Sequence, residues 1–60
     1  MELKDGSLVV MKHDPNGVVG RIVKLNGGDA PDCSLVVWHV QSGPFTVSEL
    51  TEDLLPFELA

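Results

Sequence analysis

Apolar and polar residues in this chain come in short runs, each ended by glycine or proline. The breaks are Asp5-Gly6, Asp14-Pro15-Asn16-Gly17, Asn26-Gly27-Gly28 with Pro31, Ser42-Gly43-Pro44, and Pro56. The runs between them are rich in Val, Leu and Ile, and none is long enough for an ordinary helix. This punctuation predicts an all-β domain. Strands are expected at about residues 7–13, 18–25, 34–40 and 44–47, with a short fifth at 54–57. Ahead of the fifth, Ser48-Glu49-Leu50-Thr51 offers a capping residue followed by good helix formers. That is too little for an α-helix and enough for one 3₁₀ turn.

Turn chemistry suggests the first register. In Asp14-Pro15-Asn16-Gly17, Pro15 presets φ, Asn16 tolerates the bridge region and Gly17 accepts a positive φ, which together describe a type I turn closed by a glycine bulge. Asp14 then pairs with Val18. Strict alternation sets Val9, Met11, Val19 and Val23 on one face and Leu8, Val10 and Ile22 on the other. Gly20 disturbs this, because glycine inside a strand often marks a bulge. One extra residue there places Val19 and Ile22 on the same face and bends the strand, as a small barrel requires. The Gly17-Val18-Val19-Gly20 spacing is thus read as turn and bulge. Nucleotide-clamping loops of G-x-x-G form join two helices and carry basic residues between their glycines.

Length and charge narrow the functional classes. Sixty residues make one domain, 1–60, and a chain this short buries only roughly 60% of its unfolded surface. Cys33 is the sole cysteine, so no disulfide forms, and no Cys and His stand at metal-ligand spacing. One cysteine, no apolar run near 18 residues and no charged-then-apolar leader predict a soluble, cytoplasmic protein. Nine acidic residues against four basic ones give a formal charge of −5, which repels phosphate backbones and anionic membranes alike.

The segments DGSLVVMK (5–12), GVVGRIVKL (17–25), SLVVWHV (34–40) and PFTVSEL (44–50) together resemble the SH3-like barrels of the KOW type and of the small accessory subunits of photosystem I. In that family a Gly-Ser or Gly-Asp opens strand one, as Gly6-Ser7 does here. A Gly-basic-aliphatic step in strand two is matched by Gly20-Arg21-Ile22, and a closing Phe-x-aliphatic-Ser-Glu-Leu motif by residues 45–50. The resemblance implies a small barrel of about five antiparallel strands, with one 3₁₀ turn at Ser48-Glu49-Leu50 before the last. It also implies that Val9, Met11, Ile22, Val36, Trp38 and Val47 point inward. The tight first loop and the acidic balance depart from the family pattern, so its partners are not carried over.

No catalytic, cofactor-binding or metal set can be assembled from these residues. Cys33 with His13 or His39 gives too few ligands for zinc, and the neighbouring Asp32 opposes a reactive thiolate. Asp29 and Asp32 fall short of a calcium loop, and residues 26–32 read as a solvated connector. Trp38, between Val36 and Val40 at period two, is expected to fill the core. The acidic residues Glu49, Glu52, Asp53 and Glu58 are candidates for docking a basic partner, with a solvated face as the plainer reading.

With Val9, Met11, Val36, Trp38 and Val40 inside, Leu8, Val10, Leu35 and Val37 are left on the opposite face, where polar residues would be usual. Leu54, Leu55 and Phe57 cover part of it. These four, together with Glu49, Glu52 and Asp53, are the expected partner-binding residues, for a protein partner or a second copy of the chain. The function expected is that of a non-enzymatic interaction or accessory module. A KOW-like nucleic-acid module is the alternative that the charge opposes, and an acidic inhibitor mimicking nucleic acid is one that it permits. An oligomeric enzyme of SH3-like subunits, such as the plasmid-borne dihydrofolate reductases, would need a polar substrate strand that PFTVSEL does not supply.

Overall fold

A computed structural model of the chain describes residues 3–57. The runs become β1 (Leu8–Met11), β2 (Gly20–Lys24), β3 (Cys33–Val40), β4 (Gly43–Leu50) and β5 (Leu54–Pro56), with one 3₁₀ turn, η1 (Thr51–Asp53), just before β5. All five strands are antiparallel in a single sheet of order β4-β3-β2-β1-β5. Among the described residues no helix is long and apolar enough to cross a membrane.

Chain connectivity shapes this sheet. β4 and β5 are consecutive in sequence, yet they stand at opposite edges. In a flat sheet four strand spacings would hold them about 19 Å apart, whereas the four residue steps from Leu50 to Leu54 reach at most about 14 Å. The sheet must therefore curl until its edges approach near η1. Two backbone bonds fix the turn there: the Lys12 N–H donates to the Asp53 carbonyl (2.7 Å) and the Thr51 N–H to the Asp32 carbonyl (2.9 Å). The curl stops short of closure, and the sheet remains open between β4 and β5.

The concave face holds the core. Val9, Ile22, Val36, Trp38 and Leu54 are buried together, with Leu3, Met11, Leu25 and Val47 packed around them. All six residues expected inward are in this group. Leu54 joins it by pairing with Met11 and so fills the core instead of covering the opposite face. Leu55, opposite Val10, remains exposed.

The 3₁₀ turn falls at Thr51–Asp53 and not at Ser48-Glu49-Leu50, which belong to β4. Their local preference is overridden by pairing with β3, where Ser48 faces Leu35, Glu49 faces Ser34 and Leu50 faces Cys33. The first hairpin also differs from its turn-based register. Asp14 bridges back to Met11, and Val9 lies opposite Gly20, where an Asp14–Val18 pair would have put Val23. Two tight turns in succession, with Asp14 N–H donating to the Met11 carbonyl and Gly17 N–H to the Asp14 carbonyl (both 3.0 Å), use up the residues that a single hairpin turn would have left to the strands. Gly17 keeps a negative φ; its lack of a side chain makes room for the Asp14 carboxylate.

The bulge in β2 lies between Ile22 and Lys24, and not at Gly20. Gly20 and Ile22, opposite Trp38 and Val36, share the concave face. Val19 precedes the strand, and Val23, the extra residue, is exposed.

Residues 26–32 are anchored throughout. Asn26 adopts φ 56°, and its N–H donates to Ser34 Oγ at 2.9 Å. Ser34 Oγ lies 2.6 Å from Thr51 Oγ1, and the Thr51 hydroxyl donates to Asn26 Oδ1 at 3.0 Å. This three-residue ring ties the β2–β3 loop to η1. The Gly28 N–H adds a bond to the Cys33 carbonyl (3.0 Å) and the Asp29 N–H one to Ser48 Oγ (2.9 Å). Ser34 is fully buried, so Ser34→Ala should leave polar groups without their partner and cost about 1–3 kcal/mol. Urea denaturation measures this, and Thr51→Val should add little to it, because both substitutions break the same ring.

Candidate functional site

The β3–β4 hairpin builds the most distinctive surface of the molecule. Its strands pair along eight positions, from Cys33 with Leu50 to Val40 with Gly43. The tight turn through Gln41 and Ser42 closes on Gly43 at φ 122°, a conformation that favours glycine. Directly paired residues share a face. Trp38 with Phe45, Val36 with Val47 and Ser34 with Glu49 therefore all lie on the concave side.

Trp38 lies against the backbone of Gly20, where no side chain keeps the ring away. Its indole N–H reaches along the hairpin to Glu49 Oε2 at 3.0 Å, a bond strengthened by the carboxylate charge. Above the ring the concavity opens into a cleft of about 450 Å³. Met11, Val18, Val40, Phe45 and Val47 give it apolar walls, and His13, Asp14 and Glu49 bring ionisable groups. Trp38 is only 5% exposed and forms the floor, whereas Phe45 (46%) and Val18 (43%) stand open to solvent on either side.

The face expected to bind partners has a different make-up. Leu8 and Val37 flank Arg21 across three strands, and Leu35 lies opposite Lys24. Leu8, Leu35 and Val37 are half-buried and the two cations between them are exposed, so the apolar stretch is interrupted by charge. Val10 is 4% exposed, which removes its side chain from the surface of the folded chain. The acidic residues separate. Glu49 lines the cleft, exposed Glu52 and half-buried Asp53 sit on η1, and Glu58 lies outside the described residues.

Cys33 and His39 open and nearly close β3, six steps or about 20 Å apart, a distance that prevents direct interaction between them. The Cys33 thiol faces Asp32 Oδ1 at 3.7 Å. Among the described residues no three His, Cys, Asp or Glu side chains gather as metal ligands. Gly17 and Gly20 serve separate neighbours, the Asp14 carboxylate and the Trp38 ring.

Comparison with protein-family models, curated proteins and solved structures finds no match to this chain.

Sequence reasoning assigns Met11, Val40 and Val47 to the interior and passes over Phe45 and Val18. The missing signal is the hairpin register. Pairing Val40 with Gly43 across Gln41-Ser42 would have set the two aromatic residues opposite each other and continued the inward row to the edge strand.

Proposed function

We propose that this chain is a small, non-enzymatic protein-interaction module of SH3-like kind, which receives a protein partner in the cleft over Trp38. The observation that carries this reading is the cleft itself, about 450 Å³ and walled by exposed Phe45 and Val18. Exposed aromatic side chains beside an apolar hollow are the usual anchors of protein recognition. The sheet order and the 3₁₀ turn between β4 and β5 support the SH3-like assignment. The single cysteine supports a reducing compartment, the cytoplasm.

Affinity capture from the native host, read by mass spectrometry, tests the proposal. One stoichiometric protein should be retained by the wild type and by a Val23→Ser control, and lost with Phe45→Ser, all three first shown to be folded by circular dichroism. Recovery of nucleic acid would favour the KOW-like alternative. A partner held equally well by Phe45→Ser would show that the cleft is not the site.

A further inference from the structure

β4 pairs with β3 alone, so its other side is an open edge of the sheet. The register settles which backbone groups face that edge. The His39 N–H donates to the Val19 carbonyl, away from β4, so Pro44 opposite it turns its backbone outward. Alternate residues of an antiparallel strand behave alike, and Thr46 and Ser48 therefore also present N–H and C=O groups to the open edge. Pro44 has no donor to offer, which leaves Thr46 and Ser48 as the groups able to both give and accept. The intervening Phe45, Val47 and Glu49 line the cleft. Unpaired backbone groups next to a wall of alternate side chains form a template for an added strand.

We infer that the occupant of the cleft is an extended basic segment of a protein partner, added to β4 as a sixth strand. An apolar side chain of this segment lies opposite Val47, and a Lys or Arg lies opposite Glu49. The inference rests on the interaction-module reading and names the chemistry of its partner. Period two along the added strand puts both side chains on the cleft side. With His13 counted neutral, the formal charge lining the cleft is that of Asp14 and Glu49, within a chain of net charge −5. That field attracts a cationic segment and repels a second, equally acidic copy of the chain. Glu49 is held for the role: the Trp38 indole fixes one carboxylate oxygen at 3.0 Å, so the group is oriented before a partner arrives.

The probe is a short, end-capped, fluorescently labelled peptide in which valine and arginine alternate with threonine. Anisotropy should show saturable binding, and amide NMR shifts should centre on Thr46 and Ser48. The same peptide N-methylated on the residues facing β4 should bind roughly ten-fold more weakly or worse, because it loses its strand hydrogen bonds and keeps its side chains. A peptide with glutamate in place of arginine should not bind. Glu49→Gln should weaken the arginine peptide and flatten its salt dependence. Absence of binding, equal binding of arginine and glutamate peptides, or indifference to N-methylation would overturn the inference. So would sedimentation showing a dimer that Phe45→Ser dissociates. If the peptides fail while Phe45→Ser still releases a captured native partner, the module reading stands and strand addition falls. If capture too is indifferent to Phe45, both fall.

Discussion

Trp38→Ala should cost about 3–5 kcal/mol, the range for truncating a large buried aromatic residue, and so remove a large share of the domain's stability. A chain this small has roughly 3–9 kcal/mol of stability to lose. Three losses act together. A cavity opens in the buried cluster that Trp38 shares with Val9, Ile22, Val36 and Leu54. The floor of the cleft disappears, and Glu49 loses the indole that its carboxylate accepts from. In the wild type the same burial should give blue-shifted tryptophan emission that moves red on denaturation. Native emission that is already red and readily quenched by iodide would place the ring at the surface and make the structural account of the cleft untenable. Trp38→Phe, which keeps most of the ring contact and loses the hydrogen bond, should fall well short of the alanine cost.

Gly20→Ala is the second large effect, and its sign is informative. A glycine with no positive φ in a strand, as Gly20 is at the start of β2, is normally improved by alanine, which restricts the unfolded chain. At Gly20 the added methyl would lie 2.6 Å from Trp38 Cε3 and 2.9 Å from Val36 Cγ1. Both neighbours are buried, and Val36, at 0% exposure, has no room to retreat. Overpacking of this kind costs typically about 1–3 kcal/mol, and Gly20→Val should exceed alanine. The cause can be isolated: in a Trp38→Leu background the penalty for Gly20→Ala should shrink, since the two positions are in contact and couple. A stabilised Gly20→Ala in the wild-type background would mean that the ring does not rest on this strand.

Much of the fold could be read from the chain because glycine and proline act locally. Their steric effects need no knowledge of the rest of the molecule, and they bracket the first three strands, open the fourth and close the fifth. The registers resisted the same reading because a register is a property of two strands. Asp14-Pro15-Asn16-Gly17 does make a turn, but the backbone bond from Asp14 to Met11 adds a second one that no residue preference announces. Ser48-Glu49-Leu50 looks suited to a helical turn until Cys33, Ser34 and Leu35 are known to lie alongside.

The candidate site suffers from the same limit. Alternation separates inward from outward residues but does not show where an inward row runs out of cover. Phe45 points the same way as Trp38, one strand nearer the edge, and that single step changes a core residue into an exposed wall. On the opposite face, Leu8, Val37 and Leu35 look like an unbroken apolar set within their own strands. Arg21 and Lys24 come between them only through pairing with β2.

The pairing of β1 with β5, Val9 opposite Pro56, also governs when the molecule can assemble. The β3–β4 hairpin joins residues close in sequence and can form early, whereas β1, which pairs on one side with β2, must wait on its other side for a strand more than forty residues further along the chain. Joining such distant segments carries a larger loop-closure cost than any of the hairpins does. During synthesis, Leu54 is also among the last core residues to leave the ribosome. Until then the growing chain carries a sheet whose β1 edge is unpaired and whose core lacks Leu54, an incomplete state prone to aggregation.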